Sequence, residues 1–247
     1  MKRNYLLEKL AAKAGNIRWI KAILNPFWKA FYLNPRKKTH AEAFLSNALD
    51  LLKRFDQVFK EYDLQYCLVF GTLLGAIREH GFIKHDMDID VAVWSDANHL
   101  FIEKILTNAG FRLERRIEVD NGVFGREETY TYKDVNIDLF YFYPYDEKLK
   151  YTLVFVPAEG CKDFKESVKQ TGGLLPLQLM LPLEREIKYV PFENINVPVP
   201  VNALEFIEAR YGKNWRIPDP TFVYPKMGEV LFAYRYDKKG IMTGVPL

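Results

Sequence analysis

Apolar residues recur with a helical period between positions 41 and 62, where Phe44, Leu45, Ala48, Leu52, Phe55, Val58, Phe59 and Tyr62 fall every three or four residues. That spacing places them on one helix face. The pattern then shortens. Residues 65–70 read as a strand ended by Gly71-Thr72, 73–79 as a short helix stopping at Gly81, and 88–94 as a second strand. Ser95 or Asp96 is placed to cap a helix that runs to Ala109 and ends at Gly110. Residues 112–119 and 128–132 form a predicted strand pair around Asn121-Gly122, a hairpin signal, and the aromatic and branched run 135–143 has strand character. Beyond Pro144 the pattern loosens, with Gly and Pro spread through 172–182, until Ala203 to Tyr211 reads as a last helix closed by Gly212. There is no internal repeat and no low-complexity tract. The order strand–helix–strand–helix–strands predicts an α+β fold, a mixed β-sheet flanked by helices.

Composition narrows the function classes. Of 247 residues, 49% are apolar and 27% charged, enough to build a core and to exclude global disorder. Two cysteines, Cys67 and Cys161, cannot form a disulfide framework, and His40, His80, His85 and His99 lack ligand spacing. No apolar run approaches the roughly 18 residues of a membrane span. Phosphate-loop, G-x-S-x-G and H-E-x-x-H patterns are absent. With no secretory leader legible, the expected location is a reducing cytoplasm.

The small net charge hides an asymmetry. Residues 1–38 carry ten Lys and Arg against one acid, Glu8, a net +9 in a chain whose formal charge is +3, so the remainder sums to −6. Leu6, Leu7, Leu10, Ile17, Ile20, Ile23, Leu24, Phe27, Trp28 and Phe31 are interleaved at helical spacings, with Gly15 and Pro26 as breaks. This basic amphipathic segment, residues 1–40, fits an anionic membrane surface. It fits equally a pair of helices docked on the body with their charges solvated. The expected organisation continues with a catalytic domain over 41–220 and an extension over 221–247 packed upon it.

The chemistry concentrates between Gly71 and Asp90. On a strand, Asp88 and Asp90 point to one face, and two converging carboxylates repel unless a cation lies between them. Hard oxygen ligands suit Mg2+, with Mn2+ as the alternative, and Asp138, isolated among apolar residues at 137–140, is the third candidate ligand. Gly71 and Thr72, between a strand and a helix, allow backbone N–H groups to approach a phosphate, and Arg78 is within reach of the same anion. The substrate-facing candidates are Gly71, Thr72 and Arg78, together with His85 and Asp86 of the same segment. Each has a plainer reading. The acids at 86–90 form a solvated turn, Asp138 is a structural hydrogen-bonder, Arg78 is a surface charge, and His85 is a polar loop residue. Cys67 reads as a small buried hydrophobe, and the tyrosines at 130–145 as sheet packing with one ring free to stack on a base.

At this point the sequence resembles the LicD/fukutin-type phosphotransferases of the nucleotidyltransferase fold. Their hallmark runs like G-T-L-L-G-x-x-R-x-x-G-F-I-P-W-D-D-D-I-D, and Gly71 to Gly75, Arg78, Gly81-Phe82-Ile83, Asp86, Asp88 and Asp90 stand in register with it. The likeness continues through residues 137–140 and, more loosely, 190–192, 199–200 and 210–215. Lys84-His85 replaces Pro-Trp, and Met87 replaces the middle Asp, a position off the Asp88/Asp90 face. The resemblance implies metal-dependent transfer of a phospho-alcohol, of phosphocholine or polyol-phosphate type, from a CDP-linked donor to a hydroxyl of a cell-surface or lipid-linked glycan. Asp88, Asp90 and Asp138 would be the catalytic and metal-binding residues. Asp138 is also the candidate base, although a metal-ligating carboxylate is a weak one. Two alternatives use the same segment differently: a minimal nucleotidyltransferase acting from an NTP, and a non-catalytic membrane- or glycan-binding module. No nucleic-acid partner is expected. Attachment would be peripheral, on the inner face of a membrane.

Overall fold

In the computed structural model, residues 35–84, 86–218, 233–235 and 238–244 are described. The basic segment up to residue 34, His85 and much of the expected extension over 221–247 lie outside the described residues. The architecture is α+β, a mixed sheet with five helices among the described residues.

Helix α1 spans Pro35–Glu61 and so runs through the expected boundary at residue 40. Proline is well suited to a first helical position, where its missing N–H is no loss. Most of the face anticipated from the 3.6-residue period is buried: Phe44, Ala48, Leu52, Phe55, Val58 and Phe59 are all nearly inaccessible, whereas Tyr62, just past the helix end, is exposed. Strand β1, Cys67–Leu68, is only two residues long, and helix α2, Phe70–Arg78, follows it at once. Gly71 and Thr72 therefore sit in the first turn of α2, where a joint preceding a helix at Leu73 had been expected. Strand β2, Asp88–Trp94, pairs antiparallel with β1. Helix α3, His99–Asn108, is capped by Asn98, whose side chain accepts from Phe101 N–H, not by Ser95 or Asp96.

The hairpin of β3, Arg112–Val119, and β4, Gly125–Tyr132, turns through Asp120-Asn121-Gly122. Strand β5, Val135–Pro144, runs parallel to β2 and antiparallel to β4, and its last two residues pair instead with β6, Lys150–Val156. From there the same sheet continues antiparallel through β6, then β7, Leu175–Leu181, after helix α4, Phe164–Thr171. A separate ribbon, β8 (Ile187–Phe192) and β9 (Ile195–Pro200), precedes helix α5, Ala203–Tyr211. Strands β10, Ala233–Arg235, and β11, Ile241–Gly244, pair with β7 and β3 respectively.

The alternation of β2 and β5 divides the core. Ile89, Val91, Val93, Ile137, Leu139 and Tyr141 are buried on the face where Glu103 of α3 meets Arg116 of β3. On the other face, Phe140 and Phe142 pack against Phe70 of α2 and Phe206 of α5, while Leu153 and Phe155 of β6 cluster with Ile117 and Val119. Between these two apolar blocks lies the polar ground that positions the site.

Candidate active site

Asp90 is gripped by the joint between β1 and α2. Its carbonyl accepts from Val69 N–H at 3.1 Å, its own N–H donates to Thr72 Oγ1 at 2.9 Å, and its Oδ2 accepts from Gly71 N–H at 3.2 Å. The joint is strained. Phe70 has φ 46°, a left-handed conformation that costs a bulky residue about 1–3 kcal/mol. Its ring is held by Phe140 at 4.8 Å and by Phe206, and that packing opposes relaxation of a turn that aims the first N–H groups of α2 at Asp90. Gly71 serves a different purpose, close approach: a Cβ would overlap the carboxylate of Asp86 unless that side chain moved. Gly75, one turn on, likewise meets the carbonyl of Gly81 where the chain folds back.

The register of the sheet carries the site sideways. Asp90 lies opposite Asp138 on β5, Asp138 opposite Thr129 on β4, and Thr129 opposite Arg115 on β3. Directly opposed residues share a face, so these four side chains form one row across four strands. Thr129 Oγ1 donates to Asp138 Oδ1. The Arg115 guanidinium stands 3.6 Å from Asp138 Oδ1 and 3.6 Å from Glu127 Oε1. Asp88 completes the group from the start of β2, and Asp88, Asp90 and Asp138 each offer a carboxylate oxygen within 4.8 Å of the others. Asp90 and Asp138 are each only 8% exposed. Three converging hard-oxygen donors on rigid strands are the donor set that a divalent cation such as Mg2+ or Mn2+ takes.

The electrostatics state the same need as energy. Burial pushes the Asp88 carboxyl up to about 7, reinforced by the neighbouring Asp86, with which it is hydrogen-bonded. Burial and the repulsion of Asp88, Asp86 and Asp138 hold Asp90 well above the ordinary carboxylate range. Asp138 is raised by burial to about 6, against the opposing pull of Arg115, and Glu127 by burial to about 8. Asp86 is raised by burial too. Desolvated acids that repel one another favour protons, or a metal ion in their place.

Of the residues expected from sequence, Gly71, Thr72, Asp86, Asp88, Asp90 and Asp138 come together here, and His85 lies outside the described residues. Gly71 and Thr72 direct their polar atoms to Asp90 itself. Arg78 is neither a surface charge nor aimed into the cleft by its hydrogen bonds. Only 13% of its side chain is exposed, its Nε binds Glu79 at 2.7 Å, and its Nη1 donates to the carbonyl of Trp215 at 3.1 Å. It thus braces α2 against the segment after α5. Cys67 is buried in β1, its thiol pushed up to about 12 by desolvation. Tyr130 and Tyr141 are fully buried, whereas Tyr145 is exposed.

Sequence reasoning missed Arg115, Thr129 and Glu127. Each lies on a strand with charged neighbours, and the register shift between Leu113 and Arg115 hides which face β3 presents. The aligned pair Thr129/Asp138 was open to inspection only once the β4–β5 pairing was known.

Comparison with known proteins now bears on this geometry. A family model described as LicD/FKTN/FKRP, nucleotidyltransferase domain, matches residues 63–202. The ribitol-5-phosphate transferase FKTN of Mus musculus is 28% identical over 184 residues, covering 74% of this chain and 36% of its own. The lipopolysaccharide cholinephosphotransferase LicD of Haemophilus influenzae is 42% identical over 55 residues, 22% of this chain and 21% of its own. An uncharacterized Caenorhabditis elegans protein, T07A5.1, is 37% identical over 101 residues, 39% of this chain and 26% of its own. The chain thus spans about a third of the length of FKTN (36%). The matched segment holds every strand and helix that builds the acidic row, from the β1–α2 joint to β5, and on that match the chain belongs to the LicD/FKTN/FKRP family.

Proposed function

We propose that this protein transfers a phospho-alcohol, of phosphocholine or polyol-phosphate type, from a CDP-linked donor to a hydroxyl of a glycan, in a nucleotidyltransferase-like fold that requires Mg2+ or Mn2+. The observation that carries the reading is the convergence of Asp88, Asp90 and Asp138 within 4.8 Å, in a chain related to a ribitol-5-phosphate transferase and a cholinephosphotransferase. Asp88, Asp90 and Asp138 would hold the divalent cation, which when bound would supply positive charge to offset the phosphate charge growing on the departing CMP. The chain's own part is to fix the carboxylates: Gly71 and Thr72 hold Asp90, and Thr129 holds Asp138. An acceptor hydroxyl attacks the phosphorus that bears the alcohol. The new O–P bond forms as the P–O bond to CMP breaks, the electron pair leaves with CMP, and the hydroxyl proton passes to a carboxylate. Asp138 is the candidate, a carboxylate of the site oriented by the hydrogen bond from Thr129.

A minimal nucleotidyltransferase is the second reading, favoured by the description of the matched domain. A donor survey separates the two. CMP release from CDP-choline, CDP-ribitol or CDP-glycerol is expected, and pyrophosphate release from an NTP with no CDP-alcohol turnover overturns the first reading. No helix among the described residues is long and apolar enough to cross a membrane. The net +9 charge of residues 1–38 is what supports a further part of the proposal, peripheral attachment at the cytoplasmic face, where lipid-linked acceptors would be built. Co-sedimentation with anionic vesicles, lost on deleting residues 2–38, is the expected result.

A further inference from the structure

We propose that Arg115 binds the diphosphate of the nucleotide-activated donor from the β3 side of the cleft, a role that rests on the donor chemistry proposed above. The row Asp90–Asp138–Thr129–Arg115 ends in this guanidinium, placing it beside the acid that would be shared with the metal ion.

Its present contacts leave it under-used. Arginine carries five N–H donors in a planar fork. Here the fork reaches Asp138 and Glu127 only at 3.6 Å, longer than a hydrogen bond, and its buried Nε has no hydrogen-bond partner among the described residues. Another arginine on the same strand shows what a structural counter-ion achieves. Arg116, on the opposite face, closes to 2.6 Å on Glu128 and 2.7 Å on Glu103. Arg115 stands off from its acids, beside Asp138 of the metal-ligand set, and its side chain keeps 25% exposure. The ring of Phe164, at the start of α4, lies 5.7 Å from its Cζ and limits the planes the guanidinium can adopt.

Charge bookkeeping supplies the ligand class. Three ionised aspartates and a divalent cation leave the centre negative, and a donor diphosphate adds further negative charge. A second cation beside Asp138 offsets that repulsion, and a planar fork matches phosphate oxygens two at a time. Lysine at the same place would supply charge without the paired geometry.

The test titrates Mn2+ alone, then inorganic pyrophosphate into Mn2+-saturated protein, for the wild type, Arg115→Gln and Arg115→Lys, with a thermal melt of each. Arg115→Gln should bind Mn2+ at least as tightly as wild type, because a positive neighbour is gone, yet lose at least thirtyfold in pyrophosphate affinity. Arg115→Lys should lose about tenfold at an unchanged melting temperature. Pyrophosphate binding to Arg115→Gln within threefold of wild type overturns the inference. Should that variant fail to fold, Arg115→Lys decides alone: wild-type pyrophosphate affinity reduces Arg115 to a counter-ion, and a loss at an unchanged melting temperature supports the proposal. The two readings fail separately. Arg115-dependent pyrophosphate binding without turnover of any CDP-alcohol removes the donor assignment and keeps the diphosphate site.

Discussion

Glu127 and Glu128 are adjacent on β4, and the two faces of the sheet treat them in opposite ways. Glu128 is fully buried, yet Arg116 pairs with one of its oxygens at 2.6 Å while the hydroxyls of Tyr130 and Tyr141 donate to the other at 3.0 Å. That network is closed, with Arg116 tied onward to Glu103 of α3. Glu127 faces the other way, toward Asp138, which in turn confronts Asp88 and Asp90, and Arg115 remains at 3.6 Å. A buried charge whose partners are complete is architecture, while a cluster of buried like charges is stable only once something neutralises it. The same four strands therefore carry a structural face and a chemical one.

The comparison breaks most sharply at Asp90. Asp90→Asn keeps an oxygen for Gly71 N–H but removes a repelling charge, so transfer activity should fall at least a thousandfold while the melting temperature holds or rises. The same applies to Asp88→Asn. Turnover within tenfold of wild type at saturating Mg2+ would contradict the chemical role of this face. On the opposite face, Glu128→Ala leaves Arg116 and two tyrosine hydroxyls without their acceptor. It should cost about 3 kcal/mol or more in denaturant unfolding, with turnover per folded molecule unchanged.

A smaller effect sharpens the contrast through pH. Asp138, Asp88 and Glu127 are raised to about 6, 7 and 8, so the folded metal-free protein holds protons that the unfolded chain releases near 4. Their contribution to stability is full below about 4 and is lost as pH rises toward 8. Thermal melts of metal-free protein should show this decline, and added Mg2+ should stabilise more at pH 8 than at pH 5. Asp88→Asn should flatten the slope; an equal slope in wild type and variant would refute the assignment. The smallest effect is expected at Arg78. Arg78→Lys breaks the contact with Trp215 and should cost about 1 kcal/mol, with donor affinity within threefold. A tenfold loss in a direct donor titration would return Arg78 to the binding site.

Legibility followed the range of the interactions involved. The amphipathic helix α1, the strand at 88–94, the hairpin through Asn121-Gly122 and the helix closed by Gly212 were readable, because each depends on neighbours within a few residues. Between Pro144 and Ala203 the sequence shows only a loosened pattern, yet β6, α4, β7, β8 and β9 all lie there. Pro176, Pro182, Pro191, Pro198 and Pro200 interrupt the alternation that marks strands, and partners such as Leu153 with Gln178 are far apart in sequence. The motif acids stood out because acids alternating with apolar residues on a strand need a partner. Arg115 and Thr129 did not, since an Arg beside an Arg and a Thr between Glu and Tyr look like ordinary strand surface.

What the sequence alone determined, then, is the local chemistry: an acid pair at Asp88 and Asp90 on one side of a strand, an isolated Asp138, and a Gly71-Thr72 pair where a strand gives way to a helix. Only the tertiary structure decided that β2 lies parallel to β5 with Asp90 level with Asp138, and that β4 and β3 extend the row to Thr129 and Arg115. Which residues share a strand face is set by backbone period, which every residue carries with it. Which strands are neighbours, and in what register, is set by the burial of whole faces against distant elements, and no residue carries that by itself.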